Sequence, residues 1–144
     1  MTSTVVKPPA WFWVVGIIAL LWNLVGVFNY LNLAFNKTAV VEALTEEQGE
    51  LFTSIPAWAT AAFAIAVFSG ALASIALLLR KKWAKPLFVL SLVAAVLQFI
   101  NWLFLQNAAE AFGPQAYVTP ALVVAIGAFL IFFAQKGIQK GWLR

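Results

Sequence analysis

The sequence predicts an all-α membrane protein: four transmembrane helices in an up-down bundle, both termini cytoplasmic, with a short amphipathic outer helix between the first and second spans. Composition is the first observation behind this. Of 144 residues, 64% are hydrophobic and only 10% charged, against roughly 25% charged in an ordinary soluble domain. A water-soluble fold of ~150 residues buries only about 70% of the surface its unfolded chain exposes, too little to hide so much apolar area. Second, uncharged residues gather in runs long enough to cross a ~30 Å hydrocarbon core at about 1.5 Å per helical residue. Third, the charges fall between those runs, and Arg80, Lys81, Lys82 and Lys85 place four cations within six residues. That pattern reads as a cytoplasmic turn anchored on lipid headgroups.

The chain contains no Cys, His or Asp. Disulfides, thiolate and imidazole metal ligands, cysteine nucleophiles and histidine bases are therefore all excluded. The net charge of +4 would point to nucleic acid in a soluble protein. Here the cations sit at helix ends and suit anionic headgroups, so nucleic acid is not expected as a partner and the bilayer is.

The first span, 11–35, follows Pro8-Pro9, which blocks helix before Trp11. It is too long for a signal-peptide apolar region of about 7 to 15 residues and lacks a small-residue cleavage site, so it is read as retained. Residues 36–55 carry Lys37 and four Glu; on a helical projection Glu42, Glu46, Glu47 and Glu50 occupy one side and Val40, Val41, Leu44, Leu51 and Phe52 the other. This is an amphipathic surface helix, or two short ones broken at Gly49, with Thr45 and Gln48 spaced as a capping box. It either packs its apolar side on the helix ends or forms a lid over a pocket; the former is the preferred reading.

The second span, 56–79, opens with a proline suited to a first helical turn. Ala62, Ala66, Gly70 and Ser74 recur every fourth residue, a stripe that lets another backbone approach closely. An internal partner, helix 1, is expected before a second protomer. After the basic turn come a third span, 86–105, a short outer loop with Glu110 and a Gly113-Pro114 turn, and a fourth span, 119–135. The tail ends in Trp142-Leu143-Arg144, its Trp fit for the headgroup layer. With four spans, Lys7, Arg80, Lys81, Lys82, Lys85, Lys136, Lys140 and Arg144 share one side and Lys37 alone lies on the other. The positive-inside rule then puts both termini in the cytoplasm.

Phe28-Asn29-Tyr30-Leu31 echoes Ile100-Asn101-Trp102-Leu103, and Ile55-Pro56-Ala57 echoes Thr119-Pro120-Ala121. Two parallel hairpin repeats would set helices 1 and 3 facing each other. The polar residues inside the spans are the only candidates for a site. Gly16, Ala19, Asn23, Gly26 and Tyr30 share one face of helix 1; Ser91, Ala94, Gln98 and Asn101 share one face of helix 3. Asn23 and Gln98 sit at similar depth. Their amides serve either as interhelical glue, at ~0.6 kcal/mol per bond, or as the lining of a small pocket with Tyr30 and Trp102 as aromatic walls. Such a pocket suits a neutral hydroxylated ligand. Asn29, Asn32 and Asn36 read as the wet end of helix 1.

No ionisable residue lies within any span, which argues against proton coupling through a carboxylate. Ser69, Ser74 and Ser91 have no neighbouring base, which argues against a serine nucleophile and so against an enzyme. No metal and no cofactor is expected.

Lys7-Pro8-Pro9-Ala10-Trp11-Phe12-Trp13, Leu20-Leu21-Trp22-Asn23-Leu24-Val25-Gly26-Val27, Pro56-Ala57-Trp58-Ala59-Thr60-Ala61-Ala62-Phe63, Leu79-Arg80-Lys81-Lys82-Trp83-Ala84-Lys85-Pro86-Leu87-Phe88 and Lys140-Gly141-Trp142-Leu143 carry a resemblance over nearly the whole chain. The chain resembles a family of small four-helix bacterial inner-membrane proteins that often bear the label sugar transporter. The resemblance implies a bacterial inner membrane and solute handling, and it transfers no catalytic or binding residue. Two readings follow: transport-related handling of a small neutral solute such as a sugar, in a protein expected to be a homo-oligomer, or a structural or accessory subunit of a larger membrane complex.

Overall fold

The computed structural model describes residues 7–144, and among these all regular structure is helical. Seven α-helices are present: α1 (Ala10–Phe35), α2 (Lys37–Glu42), α3 (Glu46–Thr53), α4 (Ala57–Leu78), α5 (Ala84–Ile100), α6 (Ala108–Phe112) and α7 (Val118–Gln139). Four helical stretches, Ala10–Phe35, Ala57–Leu78, Ala84–Leu105 and Ala108–Gln139, are long and apolar enough to cross a membrane, with mean hydropathy between 2.1 and 2.3. Their outward faces are apolar, with Ile18, Phe28, Leu72, Val93 and Phe132 among the exposed side chains, as lipid contact requires.

α4 is the central pillar: half of its most apolar window is buried, against 17 to 22% for the other three. It packs on α1 and on α5, and α5 packs on α7. Small residues make this possible. Ala62, Ala66, Gly70 and Ser74 are all buried, and the partners they admit lie within the chain. Along the antiparallel α1–α4 seam, a Cβ at Gly16 would stand 2.6 Å from Leu78, and one at Gly26 would stand 2.9 Å from Val67. Tyr30 meets Phe63 with ring centroids 5.6 Å apart. On the other flank of α4, Ala66 meets Ala94 and Ala95 of α5. α1 and α5 thus sit on either side of α4 rather than packing face to face, because both need its narrow surface.

The main buried core lies toward the basic end, around Phe12, Leu77, Phe88, Leu130, Phe133, Trp142 and Leu143. There α1 meets α7 through aromatic rings: Phe12 stacks on Phe133 at 5.6 Å, and Trp11 meets Trp142 edge-on at 5.4 Å. The tail that was expected to lie in the headgroup layer instead folds inward, with Trp142 only 6% exposed. Gly141, at φ 79°, turns the chain back: its N–H bonds to Ile138 O, and the Trp142 N–H bonds to Gly137 O at 2.8 Å, the Schellman end of a helix. α4 stops the same way, with Arg80 at φ 60° and the Lys81 N–H on Ala76 O at 2.9 Å. The two ends are clipped together by Arg144 N–H to Arg80 O at 3.0 Å and by Arg80 Nε to Trp142 O at 2.9 Å. Arg80 therefore holds the tail as well as lining the basic rim, and Lys85 bonds Gln135, whereas Lys81 and Lys82 are exposed.

At the opposite end, the connector breaks before Thr45 and not at Gly49. Thr45 caps α3, its hydroxyl accepting from the Gln48 N–H at 3.2 Å, while Gly49 lies buried inside α3, where a Cβ would meet Val41 at 2.9 Å. The glycine serves the close approach of α2 and α3. Their apolar side packs on the helix ends, with Phe52, Trp102 and Phe112 in mutual ring contact. The third span runs to Leu105 as expected, but its last turn is not α-helical: from Asn101 the helix widens, the Gln106 N–H reaching Asn101 O at 2.8 Å. A five-residue step of this kind marks a π-turn.

Candidate functional site

Between the four long helices the bundle is hollow toward the acidic end. An inner chamber of about 210 Å³ is lined by residues of all four, including Asn23, Asn29, Ser91, Gln98 and Thr119. An outer chamber of about 360 Å³ adds Asn32, Val40, Phe52 and Trp102. The two share Asn29, Phe63, Gln98, Phe99 and Thr119, which form a waist between them. Below the inner chamber a crevice of about 30 Å³ ends among Phe88, Ile126 and Leu130, where the aromatic core begins. The cleft therefore tapers from the outer helices toward the basic end.

Its chemistry is neutral throughout: no Asp, Glu, Lys or Arg lines the two chambers or the crevice. At the waist the side chains of Asn29, Gln98 and Thr119 make no hydrogen bond to the protein among the described residues, whereas Phe63 and Phe99 supply apolar faces. Gln98 is half-buried, Asn29 and Thr119 are exposed, and all three line both chambers, so their polar groups are free to bond a molecule there. Deeper down the polar groups are tied. Asn23 Nδ2 donates to Ala19 O at 2.8 Å and to Ser74 Oγ at 3.3 Å. Ser74 Oγ donates to Gly70 O at 2.9 Å, and Ser91 Oγ to Ala66 O at 2.6 Å.

Of the residues expected to form a pocket, Asn23 and Gln98 line the inner chamber and Trp102 the outer one. Two do not. Tyr30 packs its ring between Phe63 and Phe68 of α4, because the α1–α4 register places it on the seam. Asn101 is 3% exposed and bonds Gln106 Oε1 at 2.7 Å. Gln106 Nε2 in turn bonds Leu51 O at 2.8 Å and Ser54 Oγ at 3.0 Å, so Asn101 begins a relay that ties the end of α5 to α3. Gln48 adds a second tie, to Ala111 O at 3.3 Å.

Asn29, Ser91 and Thr119 complete the lining. Ser91 shares the helix 3 face with Gln98, which is a usable sequence signal. Asn29 looks like part of a wet helix end, and Thr119 gives no signal beyond its place beside Pro120. Among the described residues no group of three or more acidic side chains is placed to hold a metal ion. The arrangement can bind a small uncharged polar molecule by hydrogen bonds and ring faces; a charged one would lose its hydration without a counter-charge. No family model, curated protein or solved structure matches the chain.

Proposed function

We propose that the chain is a single four-helix transmembrane domain of a bacterial inner membrane, both termini cytoplasmic, that binds and passes a small neutral polar solute such as a sugar and performs no covalent chemistry. The observation that carries this reading is the charge-free cleft whose waist presents Asn29, Gln98 and Thr119 without protein partners between the rings of Phe63 and Phe99. Ligand sites commonly combine a mostly apolar wall with a few convergent polar groups in this way. The orientation rests on eight cations on one side against Lys37 on the other.

Flux of radiolabelled neutral sugars into proteoliposomes tests the reading. The wild-type chain is expected to pass a sugar faster than protein-free vesicles, and Gln98→Leu to slow it. An absence of flux from well-reconstituted protein overturns the transport reading.

A further inference from the structure

The hydrogen-bond polarity of the cleft floor is fixed, and it restricts what can reach it. Asn23 has two amide protons, and both are committed, to Ala19 O and to Ser74 Oγ. A backbone carbonyl only accepts, so the amide cannot be turned the other way without setting two oxygens against each other. Its Oδ1 is thereby left as the free end. That oxygen has no protein partner among the described residues, yet no buried polar side-chain atom lacks a partner. Asn23 Oδ1 therefore keeps accessible surface, and Asn23 lines both the inner chamber and the crevice. Ser91 is in the same position: its single hydroxyl proton goes to Ala66 O, leaving lone pairs alone to face the chamber. Both groups flank Gly70, where an added Cβ would overlap Asn23 Oδ1 and stand 3.0 Å from Ser91 Oγ.

We infer that Asn23 Oδ1 and Ser91 Oγ form an acceptor-only subsite at the floor of the cleft, which takes the hydroxyl or N–H end of a small neutral solute and rejects an ether, ester or ketone end. The inference rests on the reading of the cleft as a solute site and adds its orientation. The waist groups Asn29, Gln98 and Thr119 each both donate and accept, so they tolerate either polarity. Selection falls to the floor, where an incoming acceptor would meet two oxygens and find no donor. A site built to bond one polarity discriminates strongly, because the wrong group leaves buried polar atoms unpaired.

Ligand-observed NMR on the full chain in lipid nanodiscs tests this with two probes: erythritol, and its 1,4-di-O-methyl ether, which keeps the inner hydroxyls and lacks both terminal donors. Erythritol is expected to give a saturable signal and the ether to bind about ten-fold more weakly. Ser91→Ala, checked for unchanged helix content, is expected to weaken erythritol about three- to five-fold while leaving the ether unmoved. Gln98→Leu is expected to weaken both. Equal binding of the two probes, with Gln98→Leu still weakening both, overturns the acceptor floor and leaves the solute cleft standing. Absence of saturable binding by either probe, or indifference of both to Gln98→Leu, overturns the cleft reading and the floor with it.

Discussion

Two glycine-to-alanine changes separate the role of close packing from that of helix propensity. Each removes the same intrinsic penalty, about 1 kcal/mol for Gly against Ala in a helix. At Gly127 of α7 the new methyl meets the Leu92 Cδ1 at 2.9 Å, with the Leu92 Cβ and Cγ at 3.7 Å; only the tip of a flexible side chain has to yield. At Gly70 the methyl overlaps Asn23 Oδ1, lies 2.9 Å from its Cγ and 3.0 Å from Ser91 Oγ. There the whole amide must leave, and it is held by two hydrogen bonds. Overpacking costs about 1–3 kcal/mol, and the lost bond from Asn23 to Ser74 adds ~0.6 kcal/mol. After the propensity gain, Gly70→Ala should destabilise by about 1.5 kcal/mol, whereas Gly127→Ala should be neutral or stabilise slightly. Equilibrium unfolding of the full chain in mixed micelles with increasing SDS measures both. Equal stability of the two variants would refute the claim that Asn23 is wedged against Gly70.

Replacing Gln106 by Leu removes the links to Asn101, Leu51 and Ser54; a loss of about 1–3 kcal/mol is expected, with faster amide exchange confined to α3 and the π-turn. Trp142→Ala empties a nearly closed aromatic site and should cost about 3 kcal/mol in the same unfolding assay; an unchanged midpoint would mean that the tail lies in the lipid interface after all. The natural chain has no cysteine, so single replacements need no background correction. Lys81→Cys should react with an impermeant maleimide only from the cytoplasmic side and Glu47→Cys only from the other, and the reverse labelling would invert the proposed topology.

The sequence announces the long helices clearly because each is an unbroken apolar run bounded by Pro9, Pro56, the basic turn or Gly141. Inside the bundle its power falls away for a physical reason: in lipid, both faces of a helix are apolar, so hydrophobic periodicity no longer tells inside from outside. Small residues carry the information instead. The Ala62 to Ser74 stripe marks the seam of α4, and Gly16 and Gly26 mark its partner on α1. Polar residues are more ambiguous, since one amide can plug a helix, line a cavity or bridge two loops. Asn23 and Gln98 line the inner chamber, Asn23 also bonding Ala19 O and Ser74, whereas Asn101 is tied through Gln106 to Leu51. Tyr30 shares a helix-1 face with Asn23, but that face is not one environment: its last turns pack on Phe63 and Phe68. Trp142 was misplaced because a terminal aromatic after a basic run is read as interfacial, while the αL turn at Gly141 reverses the chain.

The taper of the cleft and the placement of the core are two sides of one construction. Large rings fill the basic end, where Trp11, Phe12, Phe133 and Trp142 close α1 on α7. Toward the acidic end, α1 and α7 contribute Asn29 and Thr119 to open space rather than to a seam. In the proposed reading a solute arriving from the acidic side would meet the α2–α3 cap first, then the waist, then the acceptor floor, where the cleft ends at Phe88 and Leu130. Beyond that point the basic end is closed by the Phe12–Phe133 stack and by the clip between Arg80 and the Trp142–Arg144 backbone.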